Sequence, residues 1–214
     1  MSYDLILRGG RVVDPSQKLD AVTDVAFADG KVARIGAGLR AEDKTDVRDV
    51  SGRTVTPGLI DLHTHVYWGG TSLGIDAEDF CRRSGVTTAV DTGSAGAGNF
   101  AGFRKHVIER SEVRILAYLH VSFAGIFAFS PRVMVGESEE LRLMAPLDAV
   151  EVANANRDII VGIKVRVGAR ASGRSGTVPL DIALEVADEV GVPVMAHIDE
   201  PPPSYEEEIG RAHV

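Results

Sequence analysis

The hydrophobic and polar positions of the chain change their pattern near Pro57. Up to residue 56, short runs of alternating apolar and polar residues are separated by turn residues, and Asp29-Gly30 between two such runs is a strong hairpin signal. Gly9-Gly10 and Ser51-Gly52 predict further tight turns between short strands. Residues 1–56 therefore predict a small all-β unit that is incomplete as a sheet by itself.

From Pro57 onward, uniformly apolar runs alternate with stretches of helical periodicity. The runs are GLIDLHTH, VTTAVDTGS, VRILAYLHVS, IIVGIKVRVG and VPVMAHIDE, and such strands predict a parallel sheet covered by helices. Gly85 and Gly191 follow helical stretches, where a left-handed C-terminal cap is expected. A doubly wound sheet could use these five strands, whereas a (β/α)₈ barrel needs three more and about 250 residues.

Composition narrows the class of protein. The chain has 214 residues with 44% hydrophobic content, enough for one or two domains, and a net charge of −8. Because no cluster of Lys and Arg is present, we expect neither a nucleic-acid nor a membrane partner. The single cysteine, Cys81, is read as a packing residue and fits a reducing cytoplasm. The start MSYDLILRGG has neither a basic region nor a long apolar run, so a cytoplasmic location is expected.

Two histidines end the first apolar run. His63 and His65 share one face of the predicted strand, and Thr64 points to the other. Two imidazoles at the carboxyl end of a parallel strand form half of a metal site. Taken alone the motif is weak, because core or solvent-facing histidines give the same pattern.

A lysine and a third histidine occupy comparable strand positions. Lys164 lies inside an apolar strand, where it is either ion-paired or a desolvated amine with a lowered pKa. A neutral amine can add carbon dioxide, and the resulting carbamate can bridge two cations. His197 ends the fifth apolar run. These positions are where parallel α/β folds place their sites, so the metal interpretation gains weight.

Three further residues are candidates for substrate binding. Asp91 and His120 are predicted to end the second and third strands, and Arg166 shares a strand face with Lys164. The alternative role is turn formation for Asp91 and a structural ion pair for Arg166. His120 is expected to border the pocket and is not assigned as a ligand. The long apolar connection after His120 predicts a lid or substrate wall.

The combined motifs carry a family resemblance. TVTPGLIDLHTH after a small β unit, VDTGSAGAGNF, GIKVRVG and VMAHIDEPPPS together resemble the amidohydrolase superfamily of metal-dependent hydrolases, in its amidohydrolase/deacetylase (dihydroorotase-like) branch. The resemblance runs from about Tyr3 to Glu207. It implies an α/β fold, an incomplete (β/α)₈ TIM barrel with about five strands over residues 57–208. Residues 1–56 would be the N-terminal part of a β-sandwich domain.

The resemblance also implies a binuclear site, usually of zinc. His63 and His65 would bind the more buried cation, carboxylated Lys164 would bridge both, and His197 would bind the more exposed one. Metal-activated water would then attack an amide or ester bond of a small acylated or cyclic substrate. The family's aspartate after strand eight and its histidine after strand six have no counterpart in the sequence. No catalytic residue is therefore assigned, and the 214-residue chain is expected to be inactive.

The ending EIGRAHV matches, in frame, a translated sequencing-library adapter followed by a stop. Residues 209–214, including His213, are therefore interpreted as a non-native tail, at which the helix opened by PPPSYEEE should stop.

Two alternative functions stay open, a cyclic amidohydrolase of dihydroorotase type and a non-catalytic homologue acting as a scaffold. Homo-oligomer formation by the full-length protein is also left open.

Overall fold

The computed structural model describes residues 2–212, and the chain divides into two compact units, Met1–Leu59 and Ile60–Val214. The first unit is a five-stranded sheet in the order β3-β2-β1-β4, with β5 also pairing with β1. β1, β2 and β3 are antiparallel neighbours, whereas β4 and β5 run parallel to β1. The strands are β1 (Leu5–Asp14), β2 (Leu19–Ala28), β3 (Lys31–Gly36), β4 (Asp46–Asp49) and β5 (Thr54–Val55).

The turn predictions for this unit have mixed outcomes. Asp29 and Gly30 both adopt positive φ, 52° and 70°, and connect β2 to β3 as predicted. The prediction of a turn at Gly9-Gly10 is wrong, because β1 is continuous and its register with β2 shifts between Leu7 and Gly10. A glycine at φ 72° lets the strand bulge by one residue without reversing direction. The buried Asp24 carboxylate accepts the Gly9 amide, 3.0 Å away.

The second unit is a five-stranded sheet in the order β10-β9-β8-β7-β6. The neighbouring strands β7 and β8, β8 and β9, and β9 and β10 pair in parallel. Its strands are β6 (Leu59–Thr64), β7 (Val86–Gly96), β8 (Arg114–His120), β9 (Ile160–Val167) and β10 (Val194–Ile198). Its helices are α1 (Ala77–Ser84), α2 (Phe100–His106), α3 (Pro146–Ala155), α4 (Val178–Val190) and α5 (Tyr205–Ala212).

The strand order decides between the two architectures that the sequence left open. Successive strands are neighbours throughout, and a helix lies between each consecutive pair. A doubly wound sheet reverses its order at a switch point, whereas a barrel adds strands in sequence. This unit is therefore an incomplete (β/α)₈ barrel. Its core is formed where side chains of β7, β8 and β9 pack against the helices. The core includes Phe100 and Phe103 of α2, Ile163 of β9 and Leu180 of α4.

The helix ends follow local sequence. Gly85 and Gly191 cap α1 and α4 at φ 75° and 74°, as predicted. α3 begins at Pro146, which lacks an amide hydrogen and fits only the first helical turn. α5 continues to Ala212, so the prediction that it stops at residue 209 is wrong. The other residues of that tail, His213 and Val214, lie outside the described residues.

No helix within residues 2–212 is long and apolar enough to cross a membrane.

Candidate metal centre

The four predicted ligand residues line one cavity of about 240 Å³ at the carboxyl ends of the strands. His63 and His65 come from the end of β6, Lys164 from β9 and His197 from β10. The wall is completed by Arg166 and the apolar side chains of Leu73, Ile126 and Phe129. Because parallel strands end on the same side of the sheet, residues 134 positions apart in the chain reach one site.

Lys164 is the most unusual group of the cavity. Its side chain is fully buried, and Nζ has no hydrogen-bond partner within the described part of the chain. Burial, followed by the charge of Arg166, lowers the pKa of Lys164 to about 8. The amine is thus much easier to deprotonate than an ordinary lysine, as expected for a desolvated group.

Gly93 makes room for this lysine. It adopts φ 86°, and a Cβ built at this position would lie 2.5 Å from Cγ of Lys164. No side chain larger than hydrogen fits there without moving the lysine. The local sequence does not reveal this role, because it depends on a neighbour 71 residues away.

The histidines have lowered basicity. Burial, followed by the charges of His63 and Lys164, lowers the pKa of His65 to about 4. The pKa values of His63 and His197 are also lowered, in both cases first by burial. The ring centroids of His63 and His65 are 5.7 Å apart. All three imidazoles are therefore neutral near pH 7, the form in which histidine binds metals.

Arg166 lines the cavity and forms an ion pair with Glu137. Nη1 of Arg166 is 3.2 Å from a Glu137 carboxylate oxygen, and its guanidinium lies over the Phe129 ring, 5.0 Å from the centroid. The same carboxylate lies 3.3 Å from Nε2 of His120. Sequence reasoning missed Glu137, although it is the first acidic residue after the apolar connection that follows β8.

Asp91 and His120 are fully buried and do not line the cavity. β7 runs on to Gly96, so the prediction that Asp91 ends its strand is wrong. Its carboxylate accepts the backbone amides of Val66 and Ser94 at 2.7 and 2.8 Å, which is why a polar residue can continue a buried strand. His120 ends β8 as predicted, and its Nδ1 accepts the Ser122 amide at 2.9 Å.

Among the described residues, no three His, Cys, Asp or Glu side chains form a group that could hold a metal ion. The donors around this cavity are three imidazoles and a lysine amine. A lysine becomes an oxygen donor only after carboxylation.

Comparisons with known proteins give the family. The model of the amidohydrolase family matches residues 54–213. A deacetylase from Brucella anthropi is 39% identical over 192 residues, which are 88% of this chain and 46% of the relative. A dihydroorotase from Citrifermentans bemidjiense is 54% identical over 63 residues, 29% of this chain and 15% of that protein.

A crystal structure of a dihydroorotase superposes with a TM-score of 0.87 at 33% identity, over 96% of this chain and 54% of the other. The chain belongs to the amidohydrolase family, and the resemblance read from its motifs is confirmed. It spans about half the length of the curated deacetylases that it matches.

Proposed function

We propose that the full-length protein is a metal-dependent hydrolase of the deacetylase-like branch, which cleaves an amide or ester bond of a small acylated substrate. The observation that carries the proposal is the convergence on one cavity of three neutral histidines and a buried lysine whose Nζ has no hydrogen-bond partner among the described residues. The 39% identity to a deacetylase over most of the chain supports the choice of branch.

In this proposal, the cavity would take two divalent cations, most simply Zn²⁺. His63, His65, His197 and carboxylated Lys164 would hold them. The residues fit this group because imidazole suits zinc and because the Lys164 amine, with a pKa of about 8, is available for carboxylation. Bound zinc supplies Lewis-acid activation of the substrate carbonyl and of water near neutral pH.

The remaining residues of the cavity wall bind and orient the substrate. Arg166 meets an anionic substrate group at the mouth of the cavity, and Glu137 fixes the direction of its guanidinium. The apolar wall of Leu73, Ile126 and Phe129 excludes water around the bond that is cleaved. Asp91 and His120 are fully buried and do not line the cavity, so we assign them no contact with the substrate.

The 214-residue chain itself is proposed to be inactive, and to belong to a reducing cytoplasm. The proton acceptor expected after strand eight has no counterpart in its sequence.

The test of this function is an activity panel on the protein expressed from its complete reading frame. We expect hydrolysis of N-acetyl or O-acetyl acids, lost after chelation and restored by Zn²⁺. The Lys164→Met variant should lose activity, whereas Lys105→Met, which changes an exposed lysine of α2, should retain it. Metal-independent hydrolysis, or full activity of Lys164→Met, would contradict the proposal.

A cyclic amidohydrolase of dihydroorotase type is the second candidate. It is favoured by the 54% identity over 63 residues and by the superposition on a dihydroorotase structure. Cyclic amides such as dihydroorotate and hydantoins are added to the same panel to distinguish the two functions. A deacetylase-like enzyme should hydrolyse only the acetylated acids, and a cyclic amidohydrolase only the cyclic amides.

A further inference from the structure

A second cavity, of about 370 Å³, adjoins the candidate metal centre. The two cavities share Phe129, Arg166 and His197 as wall residues. We call the second one the side cavity. Because the two spaces have these walls in common, a molecule bound in the cavity of the candidate metal centre can extend into the side cavity.

The cavity of the candidate metal centre is small for a whole substrate. Its volume is about 240 Å³, whereas ligand pockets typically measure about 300–1,000 Å³. Part of this space is needed for the cations of the proposed function. The part of the substrate that is remote from the cleaved bond therefore needs a second binding region.

The side cavity offers an apolar surface to such a group. Phe129, Met134, Ile198, Pro201 and Tyr205 supply this surface. Met134 and Tyr205 are 50% and 54% exposed, so a ligand in the side cavity would remove large apolar side chains from contact with water. Burial of apolar surface is favourable and does not require a particular geometry.

The charged residues around the side cavity pair with one another. Nη2 of Arg170 lies 2.8 Å from Oε1 of Glu200, and both side chains are mostly exposed. The Arg170 amide donates to Oδ2 of Asp199 at 3.2 Å. These paired groups leave the choice of ligand to the apolar wall.

Arg166 lines both cavities and can hold the acid group of a substrate between them. Within the described part of the chain, only its Nη1 is hydrogen-bonded, to Glu137. Nε and Nη2 are therefore left as donors for the anionic group that the proposed function assigns to Arg166. An acid group bound there would place its neighbouring substituent at the side cavity.

A short ribbon, residues 128–135, carries two of the apolar wall residues. Phe129 and Met134 form an antiparallel bridge, and the Val135 amide donates to the Ala128 carbonyl at 3.0 Å. Ser72 Oγ contacts the backbone of Phe129, at 2.8 Å from the carbonyl oxygen and 3.2 Å from the amide nitrogen. The ribbon thus places Phe129 between the two cavities and Met134 in the side cavity alone.

We propose that the side cavity is the subsite for an apolar group of the substrate, such as a phenyl ring or a branched alkyl chain, and that Met134 is a specificity-determining residue. The inference rests on the proposed function, because it assigns the part of the substrate that is not cleaved. The substrate is then an acylated acid, whose acid group binds Arg166 and whose apolar group lies against Phe129 and Met134.

The test is binding of phenylpropionate to the protein expressed from its complete reading frame, followed by NMR of ¹³C-labelled methionine methyl groups. The Met134 signal is assigned by its loss in Met134→Leu. We expect phenylpropionate to shift this signal and to bind about 10-fold or more tightly than propionate, the same acid without the ring. The signal of Met144, which lines neither cavity, should not move.

A larger side chain at residue 134 gives a second readout. Met134→Trp would occupy the side cavity, so we expect it to weaken phenylpropionate binding about 10-fold or more and to leave propionate binding unchanged. Val133→Trp is the matched control, because Val133 is the adjacent ribbon residue, is 55% exposed and does not line the side cavity. A Met134 signal that phenylpropionate does not move, or equal effects of the two tryptophan variants, would overturn the proposal.

Hydrolysis of acetylated acids distinguishes a failure of the subsite from a failure of the proposed function. We expect kcat/KM for acetylphenylalanine to exceed that for acetylglycine about 10-fold or more, and Met134→Trp to abolish this preference. If no acetylated acid is hydrolysed but phenylpropionate still moves the Met134 signal, the proposed function fails and the subsite stands. If both acids are hydrolysed equally and the Met134 signal does not move, the proposed function stands and the subsite is overturned.

Discussion

Glu137 is buried between two nitrogen-bearing side chains of neighbouring strands, at 3.2 Å from Arg166 and 3.3 Å from His120. We expect Glu137→Gln to lower the free energy of unfolding by about 3–5 kcal/mol, because the Arg166 charge would stay buried without compensation. Urea unfolding at pH 7 measures this loss. Glu140→Gln is the control, since the Glu140–Arg142 pair is exposed and its removal should change stability far less.

The stabilisation by Glu137 should also depend on pH. Burial by itself raises the pKa of Glu137, but the neighbouring His120 side chain, 3.3 Å away, and the charge of Arg166 hold it below its usual value. A carboxyl with a lowered folded-state pKa stabilises the fold above its unfolded-state pKa and loses this effect as pH falls through the folded-state value. The difference between wild type and Glu137→Gln should therefore shrink below about pH 4. A difference that is constant down to pH 3 would show that the Glu137 charge is not the cause.

The backbone at Gly93 leaves no room for a side chain beside Lys164. A methyl group there would meet Cγ and Cβ of Lys164 at 2.5 and 2.8 Å, in addition to the cost of φ 86°. We expect Gly93→Ala to cost about 2–5 kcal/mol, the sum of overpacking and left-handed backbone strain. Gly191→Ala is the matched control, because Gly191 has φ 74° with no atom near the added methyl, and should cost only about 1–2 kcal/mol. Equal losses in urea unfolding would contradict the role of Gly93.

The sequence predicts some of these residues and not others. His63, His65, Lys164 and His197 could be found because each lies at or near the carboxyl end of an apolar run, and strand ends converge. Glu137 could not be assigned to Arg166, because it lies in a connection without periodicity. Ser94 contacts the ring of His65, and Gly93 lies against Lys164. Both partners are far away in the sequence, so a local pattern does not reveal these contacts.

At the scale of elements, α1 begins at a cap that its sequence encodes. Asp76 accepts the amides of Glu78 and Asp79, both at 2.9 Å. We expect Asp76→Ala to destabilise the second unit by about 1 kcal/mol, because two amides of the first turn lose their acceptor. Asp76→Asn should retain most of the stability, since an amide oxygen still accepts. Thermal unfolding of the three chains makes the comparison, and equal losses in both variants would point to the charge instead.

Elements that depend on the local sequence could be predicted, whereas features that depend on contacts with other strands could not. The five barrel strands were predicted, because each is an apolar run bounded by helical stretches. The length of β7 was not, since its Asp91 and glycines are typical of a loop. Asp91 remains in a strand because amides of β7 and of the residues after β6 satisfy its carboxylate. The Gly9 bulge likewise depends on Asp24, on another strand.

At the scale of the molecule, β6 and β10 are the terminal strands of the barrel sheet in the described chain. Apolar side chains on β6 are exposed, with 57% for Ile60 and 63% for Leu62. Terminal strands with exposed apolar residues promote association of chains.

We therefore expect the 214-residue chain to self-associate with rising concentration, and Leu62→Lys to reduce the association, because a charge on an edge strand opposes pairing. Light scattering coupled to size-exclusion chromatography measures the mass. Leu147→Lys, at a more exposed leucine of α3, is the control and should have little effect. A monomeric wild type, or an equal response to both variants, would contradict this prediction.

The central claim is that the cavity at the strand ends is a divalent-metal centre. Its most direct test is elemental analysis of the protein expressed from its complete reading frame, purified after incubation with Zn²⁺ and bicarbonate and then dialysed. We predict that the wild type and Lys105→Met retain stoichiometric Zn²⁺ and that Lys164→Met loses it while staying folded. A folded wild type without zinc, or a Lys164→Met protein that retains as much as the wild type, would contradict a metal centre in this cavity.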